Sequence, residues 1–354
     1  MSNDIKMSND IKMSNDIKMS NDIKMSNDIK MSNDIKMSND INLSSILPTT
    51  WVPRVLILGP GGIKGFEMLG FLTPLEDAGI LKHIDTFCGV SIGSIIALLY
   101  ITGYTIREIV FEATKLNIFS DLYNLDITTS LFNKGVISND KIKTRLSNLI
   151  YDKLGSIPSL FDLYKLTGKS FVSVSLNTTD QESIIMDPFT HPNVPCIDAC
   201  MYSINIPFVF YQLYYNNKLM IDGAFANPYP INYFDDGNTN ILGLYVSSKK
   251  SINLNIVNNI ENEEFNEISV LDYIDKIINY LMELIKNNYI DNSSSKCKNV
   301  QIFTLLNNTF KYDINIEEKA KMLVNGYNEG RFFIKNLDSD IYTQKTINKM
   351  YKYP

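Results

Sequence analysis

Ile84-Asp85-Thr86-Phe87-Cys88-Gly89-Val90-Ser91-Ile92-Gly93-Ser94-Ile95-Ile96-Ala97-Leu98-Leu99-Tyr100 joins a short aromatic and β-branched run to a breaker-free apolar run through a Gly-x-Ser-x-Gly pentapeptide. By length and residue type, the run before Gly89 reads as a strand and the run after Gly93 as a buried helix. A serine at such a junction sits on a sharp, strained turn, and small flanking residues let strand and helix cross closely. Both flanks, Gly89 and Gly93, are glycine. Ser91 is therefore the candidate nucleophile.

Upstream, Arg54 to Leu58 reads as a buried strand, Gly59-Pro60-Gly61-Gly62-Ile63-Lys64-Gly65 as a turn, and Phe66 to Ala78 as a helix. Such a turn aims backbone N–H groups and the positive end of a helix dipole at an anion, either phosphate or oxyanion. It completes neither nucleotide fingerprint: Pro60 stands where Gly-x-Gly-x-x-Gly needs its first glycine, and Lys64 precedes Gly65 instead of following it. Downstream, Gln212 to Tyr215, Asn216-Asn217 and Lys218 to Ile221 read as a hairpin, since asparagines tolerate the left-handed backbone of a tight turn. Asp222-Gly223 then leaves a carboxylate at a strand end. Taken alone, Asp222-Gly223 reads better as a plain turn.

Together these marks resemble the patatin-like phospholipases in order and spacing: Gly61-Gly62-Ile63-Lys64-Gly65, the elbow around Ser91, and Asp222-Gly223-Ala224. Two further stretches match. Ala199-Cys200-Met201-Tyr202-Ser203-Ile204-Asn205-Ile206-Pro207-Phe208-Val209-Phe210 is similar to the small-residue segment with proline that precedes the family's aspartate, and Asn227-Pro228-Tyr229-Pro230 to its Asn-Pro-x-Pro. The resemblance covers about Arg54 to Pro230. It implies a three-layer α/β fold with a mostly parallel central sheet flanked by helices, and a Ser91-Asp222 dyad. It also implies an oxyanion hole from the N–H groups of Gly61, Gly62 and Ile92, with Lys64, Gly65, Gly89, Gly93, Gly223 and Ala224 as motif support. One departure is Pro60, which replaces the first of the family's three glycines and has no N–H to donate.

Histidine offers an alternative base. Of the two histidines, His83 precedes Ser91, whereas α/β-hydrolase triads run serine, acid, histidine, so only His191 has the right order. His191 lies in a proline-punctuated loop with Asp180, Glu182 and Asp187 upstream; a Ser91-His191 esterase triad would leave the Asp222 match unexplained. A carboxylate base is demanding, because aspartate with a reference pKa of ~3.9 is a poor acceptor for a serine proton. Water exclusion raises its proton affinity. Oxyanion stabilisation supplies the rest, since each donor is typically worth ~100- to 1000-fold. Lys64 has three open roles: supporting the turn, meeting a lipid phosphate, or standing solvated at the surface.

The chain has 354 residues, 45% hydrophobic, with net charge −6 and pI about 5.1. That is enough to bury a sizeable core, and the acidic balance argues against nucleic acid partners and strong attraction to anionic membranes. No secretory segment is visible, and the apolar run around Ile95 to Ile101 is shorter than the ~20 residues a spanning helix takes. Cys88, Cys196, Cys200 and Cys297 form no Cys-x-x-Cys pair and fit a reduced compartment. His191, Cys196 and Cys200 sketch three metal ligands without a fourth, so neither metal nor cofactor is expected. The expectation is a cytoplasmic acyl hydrolase acting on phospholipid or related esters, with peripheral membrane contact. A non-catalytic lipid-binding protein of the same fold is the alternative.

Three parts are expected along the chain: a disordered tail over 1–50, a catalytic region over 51–236, and strands and helices over 237–354 that complete the same domain. The tail is six copies of Met-Ser-Asn-Asp-Ile-Lys and a seventh ending in Asn42, with neither helical nor strand period. In the last part, Ile241 to Val246 and Val300 to Leu305 read as strands. Val270, Leu271, Ile274, Ile277, Ile278, Leu281, Leu284 and Ile285 form a helical stripe expected to face the core, opposite Asp272, Asp275, Lys276, Glu283 and Lys286. Asn315 with Glu318 suits a capping box opening a last helix through Gly326. Asn253 to Asn266 and Asn287 to Asn299 read as loops.

Overall fold

The structure, a computed structural model, describes residues 51–115, 138–207, 209–248, 270–304, 314–338 and 342, without the side chains of 248, 270–275 and 278. The hexapeptide repeats and the Asn253 to Asn266 segment lie outside the described residues. The first elements are β1 (Val55–Leu58), α1 (Gly65–Asp77), β2 (Thr86–Val90), α2 (Ile92–Ile101), α3 (Ile106–Lys115), α4 (Asp140–Leu154) and α5 (Leu160–Thr167). There follow β3 (Ser170–Asn177), β4 (Glu182–Met186), α6 (Cys196–Ser203), β5 (Leu213–Tyr215), β6 (Lys218–Asp222) and α7 (Ile231–Phe234). Last come β7 (Ile241–Ser248), α8 (Val270–Asp291), β8 (Cys297–Thr304) and α9 (Ile316–Lys335).

Eight strands form one mixed sheet in the order β5-β6-β3-β2-β1-β7-β8, with β4 also on β3. β1, β2, β3, β7 and β8 are mutually parallel, whereas β4, β5 and β6 pair antiparallel. The parallel strands are covered on both faces, which is why β1 reads as an unbroken apolar run and is buried throughout. Ile57, Cys88, Val174, Ile241, Tyr229 and Ile290 share one core cluster. No helix among the described residues is long and apolar enough to cross a membrane.

Three expectations for the C-terminal third are corrected. α8 does not bury its whole apolar stripe: Ile277, Leu281 and Leu284 are exposed, and Lys286 is buried. The Lys286 ammonium lies over the Tyr245 ring and reaches Ser247 Oγ at 3.0 Å and Glu283 Oε2 at 2.5 Å. A long aliphatic stem with a fully partnered head can occupy a core position, so the helix turns that face, with Met282, Tyr289 and Ile290, to the sheet. Most of Asn287 to Asn299 is helix or strand, leaving only 292–296 between α8 and β8. The capping box of Asn315 with Glu318 is present, but α9 continues past Gly326 to Lys335. There, Gly326 is a crossing point: a Cβ on it would lie 1.9 Å from the Glu67 carbonyl oxygen of α1.

Candidate active site

Ser91 stands between β2 and α2 with φ 56° and ψ −127°, a left-handed conformation that a side chain tolerates only where surrounding bonds impose it. Those bonds are visible. Ser91 N–H donates to Ser203 Oγ at 3.0 Å, and Ser94 Oγ lies 2.8 Å from Ser203 Oγ and 2.7 Å from the Gly89 carbonyl oxygen. A Cβ on Gly93 would stand 2.3 Å from the Leu58 carbonyl oxygen, so α2 can rest on the end of β1 only with glycine there.

Asp222 arrives from the opposite direction. Asn216 and Asn217 take φ 50° and 62°, closing the β5–β6 hairpin in the left-handed turn that asparagine accepts. On β3, Val174 pairs with Val90 and also with Ile185 of β4, while Ser175 pairs with Asp222 and with Ile184 of β4. Because β4 occupies one edge of β3, β2 and β6 share the other and meet nearly end to end. Ser91 Oγ consequently donates to Asp222 Oδ2 at 2.5 Å.

The second carboxylate oxygen, Oδ1, accepts from Ala224 N–H at 2.8 Å, as Gly223–Phe225 turns away in a single 3-10 turn. Asp222 is buried. Burial pushes its carboxyl up to about 7, against the lowering by the Ser91 and Ala224 hydrogen bonds. A carboxyl at that level is divided between acid and base near neutral pH, as a group that must both take and return a proton requires.

The glycine turn after β1 faces the elbow. A Cβ on Gly65 would meet Ile92 Cγ1 at 2.6 Å, so the start of α1 lies against the start of α2. Gly62 has φ 54°, and among the described residues no hydrogen bond engages the N–H of Gly61, Gly62 or Ile92. Lys64 is buried, which removes the solvated-surface role. Its charge acts on Glu67, one turn into α1, whose carboxyl burial raises to about 7 against hydrogen bonds from Thr304 and Asn325 and the charge of Lys64. Glu67 also accepts from Asn325 Nδ2 at 3.2 Å, so α9 is tied to the floor of the turn.

His191 is elsewhere in its bonding: its Nδ1 pairs with Thr190 Oγ1 at 2.9 Å and its ring packs on Tyr215. His83 is exposed in a one-turn 3-10 helix. The four cysteines are free and buried, and among the described residues no three His, Cys, Asp or Glu side chains form a metal cluster. Sequence reading did not single out Ser203, Asn205 or Glu67. The signal for the first two was the small-residue segment itself, which places a hydroxyl and an amide where strand ends converge; Glu67 carried none.

The pattern that defines patatin-like phospholipases matches residues 56–235. The uncharacterized protein R571 of Acanthamoeba polyphaga mimivirus is 27% identical over 275 residues, 75% of this chain and 88% of that one. The probable lipid hydrolase 463L of Invertebrate iridescent virus 6 is 31% identical over 183 residues, covering 51% of this chain and 62% of its own. Among solved structures, VipD from Legionella pneumophila is similar with a TM-score of 0.48 and 15% identity over 80% of this chain and 67% of that one. With the defining pattern spanning half its length, from β1 past the Asp222 turn, this chain belongs to the patatin-like phospholipase family.

Proposed function

We propose that the chain is a lipid acyl hydrolase of phospholipase A type, cleaving fatty-acyl esters of glycerolipids through Ser91 and Asp222. The observation that carries this reading is the 2.5 Å contact between Ser91 Oγ and Asp222 Oδ2, with the carboxyl buried and raised to about 7. Family membership and the lipid-hydrolase name of the viral relative support the substrate class.

In the proposed cycle, Ser91 Oγ attacks the ester carbonyl carbon as its proton passes to Asp222. The N–H groups of Gly61, Gly62 and Ile92 receive the oxyanion, and a preformed donor set of this kind is usually the largest contribution to acyl transfer. Collapse expels the alkoxide, which takes the proton back from Asp222, and leaves an acyl-enzyme on Ser91. Water, deprotonated by the same carboxylate, then attacks the acyl carbon; collapse breaks the bond to Ser91 Oγ, which takes the proton back from Asp222, and the fatty acid is released. Pro60 costs nothing in this scheme, because the donors are Gly61, Gly62 and Ile92.

The test is fatty-acid release from mixed phospholipid liposomes, in chelator, by the parent chain and by Ser91→Ala. Release by the parent that vanishes in the variant is the expected result. Equal release by both overturns the role of Ser91, and no release by a folded parent overturns the reading and leaves lipid binding without catalysis.

A further inference from the structure

We infer that Ser203-Ile204-Asn205, at the end of α6, is the bracket that sets the Ser91–Asp222 contact, with Asn205 the positioning residue for the aspartate. This rests on the Ser91-Asp222 reading above and adds residues that are themselves buried.

Ser91 and Asp222 lie 131 positions apart in the chain, and each ends its own strand. β3 aligns those strands, but its ladder with β6 is only three pairs long, from Ser175↔Asp222 to Asn177↔Met220. So short a ladder fixes an antiparallel strand weakly, and a general base needs placement within about half an ångström. The bracket supplies what β3 does not. Asn205 holds β6 at two points: its carbonyl oxygen accepts from Asp222 N–H at 2.9 Å, and its Nδ2 donates to the Met220 carbonyl at 2.8 Å. Two residues earlier, Ser203 Oγ accepts from Ser91 N–H at 3.0 Å. One short segment therefore grips both sides of the pair.

Asn205 is itself held from outside. Asn139, beside the first residue of α4, lies with Nδ2 3.5 Å from Asn205 Oδ1 and donates to the Tyr211 carbonyl at 2.8 Å. Asn139, Ser203 and Asn205 are all buried, so water cannot readily replace a lost donor, and deletion should be felt as displacement. Removing the Asn205 amide frees the Met220 carbonyl and with it the end of β6. Asp222 then drifts from Ser91, and loses the hydrogen bond that holds its carboxyl down.

The experiment compares parent, Asn205→Ala, Asn205→Leu, Ser203→Ala and Ser91→Ala on a soluble p-nitrophenyl acyl ester. Active sites are counted with a fluorophosphonate, and kcat and KM are followed against pH. The expected result for Asn205→Ala is kcat per labelled site lowered about 10- to 100-fold with KM unchanged, as for a slightly misplaced catalytic group. Its acid limb should move to higher pH. Asn205→Leu keeps the volume without the donor and decides the matter if the alanine chain does not fold. A loss explained wholly by fewer labelled sites, or an unmoved acid limb in a folded variant, overturns the inference. A parent that neither labels nor hydrolyses overturns the dyad reading as well, and is distinguished by Ser91→Ala matching it.

Discussion

Gly65 and Ile92 stand so close that a Cβ on the glycine would lie 2.6 Å from the isoleucine Cγ1, so the turn after β1 and the elbow after β2 rest on one another. Cγ1 belongs to a β-branched side chain with few rotamers and cannot swing aside freely. Gly65→Ala should therefore push the Gly61-Gly62 N–H groups away from Ser91 and lower kcat about 10- to 100-fold. Unchanged kcat in a folded Gly65→Ala chain would show that the turn does not serve the oxyanion.

In the proposed cycle Asp222 can accept the serine proton only when ionised, and burial raises its carboxyl to about 7. The rate constant kcat/KM should fall with unit slope as pH drops below that value and level off above it. A profile that stays flat down to pH ~5, well below the group's raised value, would mean that another group takes the proton.

The same burial costs stability. The folded pKa of Asp222, about 7, lies above its ordinary value of 3.8, so the native state binds more protons than the unfolded chain between these limits. Stability from this group thus declines as pH rises through that window, and the whole cost is present above 7. Asp222→Asn should be more stable than the parent at pH 8, by on the order of 2–4 kcal/mol, while losing activity. Denaturant unfolding at pH 8 and pH 4 checks this: the gain should fade at the lower pH.

His191→Ala should leave kcat/KM within about 2-fold of the parent, whereas removal of a triad histidine typically costs ~1000-fold or more. Its ring is engaged with Thr190 and Tyr215. A large loss, measured per active site, would restore the Ser91-His191 triad.

Gly326→Ala introduces a Cβ that would sit 1.9 Å from the Glu67 carbonyl oxygen. Backbone cannot yield as a side-chain tip can, so α9 must lift from α1. A loss of about 2–3 kcal/mol in urea unfolding is expected, with Glu67 more accessible to water as a result. No change in midpoint would mean that the two helices do not cross here.

The meeting of Ser91 with Asp222 was legible in the sequence because an elbow and a hairpin are local devices: a few neighbouring residues set each turn. The burial of Lys64 was not, because a residue's exposure is set by the packing around it and not by the residues of its own turn. Lys286 was misread for a similar reason. Its ammonium is satisfied by Ser247, on a strand 39 positions away, and periodicity along a helix records polarity without recording partners. Gly326 looked like a helix stop because glycine often is one; here it marks where two backbones touch, a fact written in the facing helix.

β3 lends no side chain to the Ser91–Asp222 hydrogen bond, yet it serves as the ruler on which the pair is measured. Extra residues at the Asn216-Asn217 tip would leave Asp222 at its mark opposite Ser175. A single residue inserted between Val174 and Ser175 would shift the mark by about 3.3 Å and reverse the facing of every later residue in the strand. In this family member, tolerance to insertion should therefore differ sharply between the hairpin that carries the acid and the strand that only counts the distance.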